Sequence, residues 1–213
     1  ARRHDAAPVA MPVAGPLRTV EVHDVTFPGF GGDPVRAWLR RPAGTTDRLP
    51  TVVQYVGYGG GRGSYLDGLL WASAGYAHLQ MDSRGQGSGW STGHTPDPWG
   101  AGPQFPGVMT RGIEDPQTYY YRRLLTDGVR AVDAARRLPG VDPDRLAVVG
   151  HSQGGAIALA AAALADGVAA VGAHAPFLCD IPRAILVTDA APFSEVVAYL
   201  AVHRGAEERV LRT

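Results

Sequence analysis

The feature that most limits what this chain can fold into is the string Gly150-His151-Ser152-Gln153-Gly154-Gly155. It follows the compact apolar run Arg145-Leu146-Ala147-Val148-Val149-Gly150 and opens a stretch of small residues, 154–165. The apolar run predicts a buried strand and the small-residue stretch a helix. A serine at the sharp turn between them takes a strained backbone conformation, and side chains two residues before or after it would collide with the flanking strand and helix. Glycines at those places remove the collision. The Ser152 hydroxyl is then held out over the sheet edge, with the positive end of the following helix beneath it to favour developing negative charge. A glycine-rich helix start with an ordinary capping serine is the bland alternative; the strand–turn–helix context favours a nucleophile.

The rest of the chain supplies a sheet for this turn. Residues 19–27 alternate apolar and polar. After the turn signal Pro28-Gly29-Phe30-Gly31-Gly32-Asp33-Pro34 a second alternating run, 35–39, predicts an antiparallel hairpin. From Thr51 the pattern changes. Residues 51–57, 77–82, 145–150 and 168–173 read as strands, with a short helix around 69–72 and a small-residue helix over 154–165. Between Tyr119 and Leu138 the apolar positions Leu124, Leu125, Val129, Val132 and Ala135 recur at helical spacing, with Arg122, Arg123, Asp127, Arg130, Asp133 and Arg136 mostly between them. Strand–helix–strand order predicts an α/β fold: a mostly parallel sheet with right-handed crossovers, helices on both faces and the antiparallel hairpin at its N-terminal side. At 213 residues, 45% apolar and 19% charged, the chain is expected to form a single domain. Residues 1–18 read as the end of an N-terminal extension. Residues 83–117, rich in Gly, Pro, Ser and Trp, form a loop long enough to be functional or to wrap a neighbour.

Composition narrows the partners. A formal net charge of zero removes the broad attraction to nucleic acid or anionic lipid, and a small neutral or weakly charged substrate fits better. One cysteine, Cys179, excludes a disulfide framework or a cysteine-based zinc site within one chain. Every basic residue is Arg, so Schiff-base lysine chemistry is absent. No stretch approaches the ~18 consecutive apolar residues of a membrane span, and the start, Ala1-Arg2-Arg3-His4-Asp5, has neither an initiating Met nor an apolar signal core. The expectation is a cytoplasmic protein, with no membrane or nucleic-acid partner, whose N-terminus looks cut.

A nucleophilic serine needs an oxyanion hole, built from the backbone N–H after the nucleophile and one from the loop after an earlier strand. Gln153 supplies the first. Gly57-Tyr58-Gly59-Gly60-Gly61, after the strand at 51–56, supplies the second, assigned to Tyr58. As a phosphate cradle the glycine run lacks the Lys of Gly-x-x-x-x-Gly-Lys. Asp82-Ser83-Arg84-Gly85-Gln86-Gly87-Ser88 follows the strand ending at Met81, at the carboxyl edge where ligands gather. Asp82 and Arg84 are expected to pair and fix this turn, a supporting role rather than a catalytic one.

Three strings together resemble the acetyl xylan esterase and cephalosporin C deacetylase family, carbohydrate esterase family seven, of the α/β-hydrolase fold. They are Ser83-Arg84-Gly85-Gln86, the string Gly150-His151-Ser152-Gln153-Gly154, and the run Thr110-Arg111-Gly112-Ile113-Glu114-Asp115-Pro116-Gln117-Thr118-Tyr119-Tyr120-Tyr121-Arg122-Arg123. The resemblance runs from about Thr19 to Arg212 and includes Pro176-Phe177-Leu178-Cys179 and Pro192-Phe193-Ser194-Glu195. It implies Ser152 as nucleophile, Tyr58 and Gln153 amides as oxyanion donors, and Arg84, Gly85, Gln86 and Asp82 as site supports. It also implies removal of acetyl groups from acetylated xylo-oligosaccharides, other small acetylated sugars and cephalosporin C without metal or organic cofactor, in a homo-oligomer, a hexamer with its sites facing an internal chamber. His151 departs from the family's usual Gly before the nucleophile. Trp90 and Trp99 are exposed-loop candidates for subunit contacts or substrate walls.

The order Ser, acid, His is harder to complete. After Ser152 the chain offers His174 and His203, neither in the family's His-Glu motif, and the acids Asp180, Asp189 and Glu195, none after a strand in the expected order. The expectation is that the catalytic acid and His, and the C-terminal strands carrying them, lie outside these residues. A peptidase or other acyl hydrolase of the same fold, or a catalytically incompetent piece acting in assembly, are the alternatives.

Overall fold

The computed structural model describes residues 7–100 and 107–212, so residues 1–6 of the expected N-terminal extension and 101–106 of the long loop lie outside the described residues. The chain divides into two compact units. The first comprises Ala1–Pro96 with Leu125–Phe177, the second Asp97–Leu124 with Leu178–Thr213.

The first unit is built on a seven-stranded sheet in the order β1-β2-β3-β5-β4-β6-β7. Its strands are β1 (Val9–Pro12), β2 (Val20–Pro28), β3 (Pro34–Pro42), β4 (Leu49–Tyr55), β5 (Ala77–Met81), β6 (Val141–His151) and β7 (Val168–His174). The hairpin expected from the alternating runs is β2–β3, paired antiparallel from Val20↔Pro42 to Pro28↔Pro34. β1 pairs antiparallel with β2, and β3 antiparallel with β5. The pairs β5–β4, β4–β6 and β6–β7 are parallel. The result is an α/β fold with a mostly parallel half and an antiparallel N-terminal half.

Both faces of this sheet are covered, and the residue pattern shows why. In β2 the buried residues are Val20, Val22, Val25 and Phe27, so the apolar phase switches at His23-Asp24 from one face to the other. Val20 and Val22 join Trp38 and Ala72 of helix α1 (Leu70–Ser73) in one cluster. On the opposite face, helix α2 (Tyr120–Ala135) approaches β4 through Gly128, whose carbonyl accepts the Tyr55 hydroxyl at 2.8 Å. Helix α3 (Gln153–Leu164) lies beside it, because a Cβ on Gly128 would come 2.4 Å from Ile157 Cγ2. Ile157, Ala158 and Ala161 are fully buried, and small residues along α3 allow that close approach. Burying Ile157 contributes ~1.5–3 kcal/mol.

Helix α2 departs from a simple amphipathic reading. Arg123, Asp127 and Arg130, placed by spacing on a polar side, are buried. Asp127 has a buried cationic partner, described below; Arg123 is paired with Asp97 of its own unit, Nη2 to Oδ2 2.9 Å. In the second unit the helices are α4 (Ile181–Val187), α5 (Phe193–Val202) and α6 (Glu207–Arg212). Tyr199 donates to Glu114 at 2.5 Å and Met109 N–H to Glu195 at 3.2 Å. Among the described residues no helix is long and apolar enough to cross a membrane.

Candidate active site

β6 ends at His151, α3 begins at Gln153, and Ser152 between them has φ 55° and ψ −119°. A left-handed φ at a non-glycine residue costs of order 1–3 kcal/mol and persists only where the surroundings enforce it. They do so from two sides. Ser152 N–H donates to the His174 carbonyl at 3.0 Å, and the Ser152 carbonyl accepts Phe177 N–H at 3.0 Å. The segment after β7 thus clamps the turn. The glycines are required as the sequence suggests: a Cβ on Gly150 would lie 2.1 Å from the Gly154 carbonyl carbon, and one on Gly154 would lie 2.3 Å from the Tyr55 carbonyl oxygen. The Ser152 side chain makes no capping hydrogen bond to α3, so its hydroxyl is not serving as a helix cap.

Gly57 and Tyr58 follow β4, the central neighbour of β6. A Cβ on Gly57 would stand 3.6 Å from the His151 carbonyl oxygen, which places the start of this glycine-rich loop against the turn that carries Ser152. Gln86 ties the two together. Its Oε1 accepts Gly59 N–H at 2.7 Å and its Nε2 donates to Gln153 Oε1 at 2.9 Å. The Gln153 side chain, fully buried, in turn donates to the Val56 carbonyl at 3.3 Å. The Arg-Gly-Gln turn therefore reaches both backbone segments expected to carry oxyanion donors. From the other side Trp90 Nε1–H donates to the Tyr58 carbonyl at 2.9 Å, and the Tyr58 and Phe177 rings meet edge to face at 6.3 Å between centroids.

The expected Asp82–Arg84 pair is not formed. Asp82, fully buried at the end of β5, accepts Arg62 N–H at 2.9 Å, Ser83 N–H at 3.0 Å, His94 N–H at 2.6 Å and the Thr95 hydroxyl at 3.0 Å. Four neutral donors from two loops leave this carboxylate no need of a cation. Arg84, also fully buried, turns to α2 instead: Nε to Asp127 Oδ2 is 2.5 Å, Nη2 to Asp127 Oδ1 2.9 Å and Nη1 to Asp33 Oδ2 3.1 Å. Phe30 N–H adds a 2.8 Å bond to Asp127. Burial pushes the Asp127 carboxyl up from its usual range, and the bidentate Arg84 opposes that push. Between them Gly85, at φ 63°, donates its N–H to the Thr95 carbonyl at 2.8 Å. Successive side chains of the Asp82–Gln86 turn therefore pin one loop, staple the turn to α2 and the β2–β3 hairpin, and contact Gln153.

The sequence does not reveal Asp33, Asp127 or Thr95 as partners of this region, whereas Trp90 is among its candidate substrate walls. His174 and His151 face each other in register on β7 and β6, with their rings stacked at 4.8 Å. Among the described residues no carboxylate is hydrogen-bonded to either ring. Asp180 caps α4 by accepting Arg183 N–H at 3.3 Å, and His203 stacks on Tyr199 in the second unit.

A serine on a strained strand-to-helix turn, at the carboxyl ends of a mostly parallel sheet and beside a glycine-rich loop, defines the α/β-hydrolase class. Within it, the chain matches the acetyl xylan esterase family (AXE1) over residues 1–213 and belongs to that family. It is similar to the acetyl xylan esterase from Paenibacillus sp. R4, at 37% identity and TM-score 0.90, covering 99% of this chain and 67% of that one. It is also similar to acetyl xylan esterase 1 from Thermoanaerobacterium sp. JW/SL YS485, at 28% identity and TM-score 0.86, with the same coverage. A 75-residue stretch is 39% identical to acetyl esterase Axe7A of Xylanibacter ruminicola; it spans 35% of this chain and only 17% of that relative's length.

Proposed function

We propose that this chain carries the nucleophile and oxyanion hole of a serine esterase that removes acetyl groups from small acetylated substrates. Ser152 Oγ attacks the acetyl carbonyl, and the backbone N–H groups of Tyr58 and Gln153 stabilise the oxyanion that forms. The alcohol leaves with a proton, and water releases acetate from the acetyl-enzyme. The observation that carries the reading is Ser152 itself, held at φ 55° with its hydroxyl unused as a cap and the Gly57 loop against the preceding peptide. Asp82, Arg84, Gly85 and Gln86 support the site without touching the reacting atoms.

The general base and the acid that orients it come from residues outside these 213. Support comes from the two rings beside the turn: His151 and His174 stack on one another and, among the described residues, neither has the carboxylate partner that a triad base requires. Acetylated xylo-oligosaccharides and similar sugar acetates, with cephalosporin C among the wider candidates, are the substrates that family membership supports. A homo-oligomer, a hexamer by resemblance, and a cytoplasmic site of action complete the proposal.

The test is acetate release from p-nitrophenyl acetate by the full-length protein that contains this sequence. Ser152→Ala should lower kcat by about 10⁴–10⁶ with little change in thermal stability. Activity retained in Ser152→Ala would overturn the assignment, and native mass spectrometry of the same sample tests the oligomer.

A further inference from the structure

Trp90 is the most conspicuous side chain beside Ser152 that the proposed chemistry does not use. It is 67% exposed, yet it does not hang free. Its Nε1–H is anchored on the Tyr58 carbonyl at 2.9 Å, and its six-membered ring covers Gly60 so closely that a Cβ there would lie 2.4 Å from Cζ2. The strand-like segment around it is fixed to the same loop: Gly89 N–H donates to the Gly59 carbonyl at 3.0 Å and Gly61 N–H to the Ser91 carbonyl at 2.9 Å. The indole edge and the His151 carbonyl oxygen each stand 3.6 Å from the point where a Gly57 Cβ would be, so both approach the same glycine. A large aromatic ring is thus held from two sides, mostly open to water, at the glycine that packs against the turn carrying Ser152.

An exposed indole leaves apolar surface in water unless something covers it, and fixing its orientation in advance reduces the entropy lost when a ligand arrives. The matching ligand surface is flat, partly apolar and ringed by hydroxyls. A pyranose has that form: its C–H face packs on the indole by dispersion and apolar burial while its hydroxyls stay solvated. We infer that Trp90 is a specificity-determining platform on which the sugar ring of an acetylated saccharide stacks while its acetyl group reaches Ser152. This rests on the esterase reading and goes beyond it, by naming the ring that separates sugar acetates from acetate esters without a ring. The anchor on Tyr58 gives the residue a second effect, because loss of the indole N–H disturbs the oxyanion loop for every ester alike.

The two effects separate in a ratio. In the full-length protein, kcat/KM is measured for peracetylated methyl xyloside and for ethyl acetate, with Trp90→Ala and Trp90→Phe. Trp90→Ala should lower the sugar-to-ethyl ratio about tenfold, with the sugar-specific part in KM, which corresponds to ~1.4 kcal/mol of binding. Trp90→Phe keeps an aromatic face but loses the N–H, so both esters should fall together and the ratio should stay within about threefold of wild type. An unchanged ratio in Trp90→Ala, whether both rates fall or neither does, would overturn the platform. If Trp90→Ala does not fold, a tenfold loss of the ratio in Trp90→Phe would overturn the proposal equally. Failure of wild type on both esters would instead strike the esterase reading.

Discussion

The Ser152 turn and the loop that begins at Gly57 border one another, yet they are held by opposite means. The turn is fixed by backbone and by missing atoms: Gly150 and Gly154 have no Cβ to clash, and two main-chain bonds from the His174–Phe177 segment clamp Ser152. The loop is fixed by side chains that arrive from one distant stretch, with Gln86 on Gly59, Trp90 on Tyr58 and Asp82 on the Arg62 amide. A turn made by exclusion fails abruptly when an atom is added. A loop made by several hydrogen bonds weakens by degrees when one is removed, since each contributes roughly 0.5–1.5 kcal/mol net.

The sharpest way to break this comparison is beneath the loop-holding stretch, where Arg84 and Asp127 form a fully buried pair. Asp127→Ala takes the bidentate carboxylate away from a buried guanidinium, and should destabilise the protein by about 3–5 kcal/mol in urea unfolding. A cost under about 1 kcal/mol would mean that the staple is dispensable. At the turn, Gly154→Ala drives a Cβ into the Tyr55 carbonyl, against backbone that has nowhere to go. A stability loss of about 1–3 kcal/mol is expected, together with loss of nearly all esterase activity; a fully active variant would show that the turn is softer than its geometry.

Gln86→Ala should distinguish the loop from the turn. Stability should fall by no more than about 1.5 kcal/mol, while kcat falls roughly tenfold with KM little changed, because both segments proposed to carry the oxyanion donors lose a shared tether. Equal changes in kcat and KM would point to a substrate contact instead. At neutral pH one further effect is silent, and it appears only in acid. His78 is fully buried, with Nε2 2.9 Å from Gln54 Oε1, and burial, followed by the Arg40 charge, pushes its pKa down to about 3. The unfolded chain takes up this proton below about pH 6.5 and the folded one does not, so stability should fall by ~1.4 kcal/mol per unit as pH drops from 6.5 toward 3, and be unaffected above 6.5. His78→Gln should flatten that slope in acid denaturation. An identical slope would place the acid sensitivity elsewhere.

Much of this was legible in the residues. The β2–β3 hairpin, the strand before Ser152, the small-residue helix after it and the parallel half of the sheet follow from period and punctuation, because local sterics and side-chain alternation decide them. The partners of buried charge were not legible. Asp82 and Arg84 sit two apart and invite a pair, but the sheet delivers four neutral donors to one and two carboxylates to the other. Arg123, Asp127 and Arg130 look like a solvated face for the same reason: spacing records which residues share a side of a helix, not what that side meets.

By itself the sequence determined that Ser152 must stand on a strained turn, since only Gly150 and Gly154 leave room for strand and helix to approach one another around it. Only the tertiary structure decided what surrounds that serine. The Gly57 loop and the stretch that brings Gln86 and Trp90 come from other parts of the chain, and hydrogen bonds between residues far apart in sequence have no local signature. Once the sheet had set strand ends side by side, the donors and acceptors nearest in space paired, whatever their distance along the chain.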